Sequence, residues 1–130
     1  MATLEELVVS GTQMDRELIA TVLGPLVRLD GDSRDVVFLP EWDALKNDDK
    51  MLAFLVALKA MVALEWLADD TAAPGDISRR TGLPGGSVRP GLARLVKSRL
   101  VVQVGGGGYQ IPNWAMNQVR TVLAQSIQEG

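Results

Sequence analysis

Residues 73–112 read APGDISRRTGLPGGSVRPGLARLVKSRLVVQVGGGGYQIP, and they contain a short helix, a tight turn, a second helix and a hairpin in that order. Ala73, Pro74, Gly75 and Asp76 form a helix start. Proline fits the first turn, where its missing N–H is no loss, and a carboxylate there meets the positive end of the helix. Ile77 is carried inward, Ser78 is a small contact residue, and Gly82 supplies the permissive backbone of an inter-helix turn that Leu83 closes. Pro90 is comfortable only in a first turn, so the second helix is expected to begin no earlier than about Ser87, its expected N-cap. Val88, Leu92, Leu95 and Val96 recur at helical spacing as one apolar stripe, leaving Arg89, Ala93, Arg94 and Lys97 on the other side. Leu100–Val104 and Tyr109–Ile111 are β-prone runs, and Gly105–Gly108 between them make a flexible tip.

This segment, and the run TGLPGGSVRPGLARLVKSRLV within it, resembles the helix-turn-helix core of the winged-helix superfamily as it occurs in small prokaryotic transcriptional regulators. The resemblance implies a mainly α fold with a small β-hairpin wing, preceded by a helix and hairpin extension. Residues 1–46 form that extension, and residues 47–130 the winged-helix domain with a C-terminal amphipathic helix. The resemblance also implies double-stranded DNA as a partner. The wing tip carries neither Arg nor Lys, which departs from winged helices that insert a basic wing residue into the minor groove.

Composition narrows the function. The chain has 130 residues and no cysteine or histidine, so disulfides, thiolate or imidazole metal sites and a histidine general base are all excluded. No enzyme of a common kind and no cofactor is expected. The apolar run Met51–Leu58 stops at Lys59, too short to span a bilayer, and the early glutamates do not suit a signal peptide, so a soluble cytoplasmic protein is expected.

The net charge of −3 conceals a division. Residues 1–76 hold fifteen acids and six bases, whereas residues 77–130 hold one acid, Glu129, and seven bases. The second part is therefore at +6 against −9 for the first. Binding to nucleic acid depends on phosphates neutralised locally, so an acidic whole with a pI of about 4.9 is compatible with a basic binding face.

Outward from this segment, Asn47, Asp48 and Asp49 open a long helix expected to reach about Ala68, apolar on nearly every side and hence the central core helix. Earlier, Thr3 and Glu6 have capping-box spacing for a short helix through Leu7 and Val8, and Thr12 is the expected cap of a helix containing Leu18, Val22 and Leu23. Leu26–Leu29 and Val36–Leu39 flank Asp30, Gly31, Asp32 and Ser33 as a β-hairpin. Asp30, Asp32 and Asp35 lack the spacing and terminal glutamate of a calcium loop and read as a solvated turn. After Pro112, a helix beginning at Asn113 carries Met116, Val119, Val122, Leu123 and Ile127 in one stripe, which needs either the chain's own core or a second copy.

The expected function is sequence-selective binding of duplex DNA in transcription regulation. Ser87, Arg89 and Arg94 are the candidates for base edges or adjacent phosphates, with Arg79, Arg80 and Lys97 for the sugar–phosphate backbone. Gly91 either removes bulk near the duplex or allows close helix packing, and Arg99 sits where it would meet the negative helix end. The apolar stripes of the central and C-terminal helices make a homodimer the expected state. The alternative is an adaptor that uses the winged-helix scaffold to bind a protein partner, which the acidic pI and uncharged wing tip would suit.

Overall fold

Helix α3, Asn47–Ala63, is the element on which the others rest; from Met51 to Met61 every one of its residues is buried. The computed structural model describes residues 3–7 and 15–129. Before α3 come a 3-10 turn at Leu4–Leu7, α1 (Arg16–Leu23), strands β1 (Val27–Leu29) and β2 (Val36–Phe38), and a short α2 (Pro40–Asp43). After it come α4 (Pro74–Thr81), α5 (Gly85–Lys97), strands β3 (Val102–Val104) and β4 (Gly108–Gln110), a 3-10 turn at Asn113–Ala115, and α6 (Met116–Glu129). The fold is mainly helical with two antiparallel two-stranded hairpins, the second of them the wing of a winged helix.

The central helix stops five residues before the expected end. The Trp66 amide reaches back to the Met61 carbonyl at 2.8 Å and the Glu65 amide to that of Val62 at 2.9 Å, with Glu65 in the left-handed region at φ 65°. That is a Schellman ending, and it releases Leu64–Ala68 into a loop even though their composition would continue a helix. The same ending closes α5, where Leu100 and Arg99 reach back to Leu95 and Val96, and Arg99 has φ 63°. Both left-handed positions hold charged side chains rather than glycine, which hid them in the sequence.

Helix α1 is capped by Asp15, whose carboxylate accepts from the Leu18 amide at 3.0 Å. The expected cap Thr12, like Val8 at the end of the first expected helix, lies outside the described residues. The first hairpin pairs Val27 with Phe38 and Leu29 with Val36, and its turn is closed by Asp30 accepting from the Asp32 amide. Helix α2 is an addition to the sequence reading: Pro40 opens it, and it buries Trp42 in a stack on Phe38 with ring centroids 3.9 Å apart. Ile19, Val22, Leu23, Leu26, Val27 and Trp42 belong to the same hydrophobic core as α3, α5 and α6.

The stripe of α6 is answered within the chain, since Met116, Val119 and Leu123 are all buried in that core. Two polar ties lock α6 and its entry to α3. Ser126 Oγ donates to Asp49, and Lys59, only 2% exposed, donates to Asp70 Oδ2 at 2.9 Å and Asn113 Oδ1 at 2.6 Å. A buried ammonium is tolerable only because its hydrogen bonds are made in this way.

Candidate nucleic-acid interface

The turn between α4 and α5 is built by side chains that replace missing backbone partners. Pro74 occupies the first position of α4, and Gly82 ends it in the left-handed region at φ 78°. Ser78 Oγ then donates to the Leu83 carbonyl at 2.6 Å, and Thr81 Oγ1 accepts from the Leu83 amide while donating to the Ile77 carbonyl. With Ile77 and Leu83 buried beneath, these bonds fix the angle between the two helices.

Helix α5 starts at Gly85, two residues before the expected cap. The Pro84 carbonyl accepts from both the Ser87 and Val88 amides, at 2.9 and 3.1 Å, as the first bonds of the helix, which has no side-chain cap. Ser87 is instead the third helical residue. Pro90 is thereby inside the helix, where it costs one bond to the Gly86 carbonyl; that carbonyl lies in an exposed first turn where water can serve it. Val88, Leu92 and Leu95 are buried as expected, but Val96 is 37% exposed and leaves the stripe. Gly91 replaces it on the inner side. A Cβ at Gly91 would lie 2.3 Å from Met51 Cε and 2.7 Å from Asp48 Oδ1, so this glycine serves the close contact with α3.

Opposite the buried stripe, Gly86, Pro90, Ala93 and Lys97 follow at i, i+4, i+7 and i+11 and are all exposed. This outward line is small and carries one charge. Arg89 flanks it on the side of α4, and Arg94 on the side of α3.

The six candidate residues fall into distinct settings. Arg79 and Arg89 line one cleft of about 260 Å³ together with Pro74, Gly75, Ser78 and Gly85, at the start of both helices. Arg79 also pairs with Asp76 at 2.7 Å, both exposed. Arg80 lies elsewhere, over the Phe54 ring at 5.4 Å and 3.8 Å from Asp35 of the first hairpin. Arg94 donates from Nε and Nη2 to the two oxygens of Asp48 at 2.8 and 2.9 Å, and these bonds, then the Asp48 charge, raise its pKa further above the ordinary arginine value. Among the described residues, Arg89 and Lys97 have no acidic partner. In the sequence Asp48 stands only as part of a helix start; its pairing across 46 positions has no local signal, except that Gly91 marks where two helices touch.

The wing forms where expected. Val102 pairs with Gln110 and Val104 with Gly108, and Gly106 and Gly107 take φ 88° and 85° at the tip, a conformation only glycine adopts freely. Ala72, just before α4, bridges to Tyr109 through two backbone bonds of 2.8 and 2.9 Å, so the wing is tied to the helix-turn-helix. Among the described residues no group of acids is arranged to hold a metal ion, and no helix is long and apolar enough to cross a membrane.

Residues 56–105, from the middle of α3 to the wing tip, match the IclR helix-turn-helix domain, a winged-helix DNA-binding domain of transcriptional regulators. No curated protein and no solved structure matches the chain.

Proposed function

We propose that the chain binds double-stranded DNA and regulates transcription, with α5 entering the major groove. The observation that carries this reading is the match of residues 56–105 to a DNA-binding domain whose exposed helix, α5, carries Arg89 and Lys97, which have no acidic partner among the described residues. The absence of any acid from Ile77 to Gln128 supports it, because phosphates meet few carboxylates there beyond Asp35, Asp48 and Asp76, which pair with Arg80, Arg94 and Arg79. Ser87 and Arg94 are the base-side residues, with Arg89 beside them set for an adjacent phosphate. Arg79 and Lys97 are set for phosphates, and Arg80, drawn toward Phe54 and Asp35, reaches a flanking phosphate only by leaving that contact. Such a protein works in the cytoplasm, where the DNA is.

A homodimer belongs to this proposal on the grounds of half-site symmetry, since two copies would read two half-sites one helical turn apart. The α6 stripe no longer argues for it, because that stripe is spent on the chain's own core. Sedimentation with and without duplex is expected to show two chains on each bound site.

The adaptor reading draws on one observation, the nearly donor-free line Gly86, Pro90, Ala93 on the exposed side of α5, a surface that also suits a protein. Repeated selection of bound molecules from a random duplex library separates the two. A common motif is expected to emerge; a library that stays random after several rounds, with no retention at low salt, would favour the adaptor.

A further inference from the structure

Asp48 and Arg94 meet side-on, and the geometry of that pair has a chemical consequence that neither residue has alone. A guanidinium carries five N–H donors in a rigid fork. The bonds from Nε to Oδ2 and from Nη2 to Oδ1 use two of them. Both hydrogens of Nη1 and the second of Nη2 remain, and one from each nitrogen lies on the end-on edge that a guanidinium uses for a bidentate contact. The side chain of Arg94 is 62% exposed while that of Asp48 is 28% exposed, so the arginine is the outer member of the pair.

Three features hold this arrangement. Asp48 sits in the first turn of α3, whose helix is fixed in the core. Gly91, one turn before Arg94 on α5, has no side chain, and a Cβ there would come within 2.7 Å of Asp48 Oδ1. Val88, Leu92 and Leu95 clamp α5 against α3. A long side chain that would otherwise sample many rotamers is therefore held in one, with a free donor edge.

Resting on the DNA-binding reading above, we propose that Asp48 is a positioning residue that makes Arg94 a reader of a guanine edge. Two physical effects point the same way. A fixed fork suits the O6 and N7 acceptors of guanine, which require one geometry. A carboxylate 2.8 Å from the guanidinium cancels its net charge, so the pair attracts a phosphate weakly but can still donate to neutral acceptors. Arg94 thus contributes to discrimination between sequences and little to salt-dependent affinity, in contrast to Arg89 and Lys97.

The test uses the full chain, a fluorescent duplex selected from a random library with the parent protein, and a shuffled duplex of the same composition. Asp48→Ala and Asp48→Asn are compared with the parent at several salt concentrations, and thermal melting verifies that both remain folded. Removal of the acid is expected to tighten binding to the shuffled duplex and steepen the salt dependence by about one unit of slope. The ratio of selected to shuffled affinity is expected to fall about tenfold, and Arg94→Lys to lower that ratio without steepening the slope. A merely structural role would shift melting and leave slope and ratio unchanged, and that result would overturn the proposal. A parent that binds no duplex would overturn the DNA-binding reading itself, which is a different outcome from a parent that binds and variants that match it.

Discussion

Single residues carry more of this structure than their composition suggests. Gly91 is the sharpest case, because Met51 Cε would lie 2.3 Å from a Cβ there and Met51 has no exposed surface into which to move. Alanine gains about 1 kcal/mol in intrinsic helix propensity, whereas overpacking a filled contact costs about 1–3 kcal/mol. Gly91→Ala is therefore expected to lower the melting temperature, despite better propensity; a rise would show that α3 and α5 can separate without cost. Arg99 has the opposite sign. Its left-handed backbone costs an L-residue roughly 1 kcal/mol, so Arg99→Gly is expected to stabilise by up to about that amount in chemical denaturation, while Gly82→Ala at φ 78° is expected to destabilise by about 1 kcal/mol. Sequence reading placed Arg99 at the helix end correctly, but its left-handed conformation is set by the Leu100 amide bonding to Leu95, which no spacing of residue types announces.

At the scale of elements, the joints around α3 decide how the reading segment is held. Lys59 joins α3 to the loop at Asp70 and to Asn113 before α6, and both carboxylate and ammonium are largely shielded from water. Leaving one partner of a buried pair alone costs about 3–5 kcal/mol, so Asp70→Ala is expected to approach that loss in urea unfolding; a change below 1 kcal/mol would mean the tie is dispensable. The adjacent loop has its own signature. Thr71 donates to Asp69 from both Oγ1 and its amide, which holds the Asp69 carboxyl below the ordinary aspartate value. A depressed carboxylate adds stability that is present above its unfolded value and disappears as pH falls through the folded one. Carboxyl titration by NMR is expected to find Asp69 below the ordinary aspartate value in the parent and closer to it in Thr71→Val; equal values in both would contradict the assignment.

The elements legible in the sequence were those with local causes. Pro74 at the start of α4, Gly82 at its end, the i, i+4, i+7 repeat of Val88, Leu92 and Leu95, and four glycines at the wing tip each act within a few residues. The start of α5 is not legible because the helix has no side-chain cap and tolerates Pro90 at its sixth residue. The end of α3 was misplaced because Glu65 takes a conformation usual for glycine. In the candidate interface, the cations were visible as residue types, yet their differences were not: only the fold reveals that Arg94 faces Asp48, Arg80 faces Phe54, and Arg79 shares a cleft with Arg89.

Across the whole molecule, the separation of charge is the feature with the most direct physical reach. Residues 77–130 are at +6 and residues 1–76 at −9, and although Asp76, Asp35 and Asp48 pair with Arg79, Arg80 and Arg94, Arg89 and Lys97 on α5 have no acidic partner among the described residues, so α5 is the part that attracts a polyanion. Orientation on DNA should follow from this before any base is read. The measurement that bears most directly on this account is titration of a fluorescent duplex with the full chain at several salt concentrations, alongside Arg89→Ala and Lys97→Ala. Salt-dependent binding is expected, with the logarithm of affinity falling by roughly 0.9 for each phosphate contacted per tenfold rise in salt, and with each substitution removing about one such unit. A parent that fails to bind at low salt, or binds with no salt dependence and no loss in either variant, would contradict it.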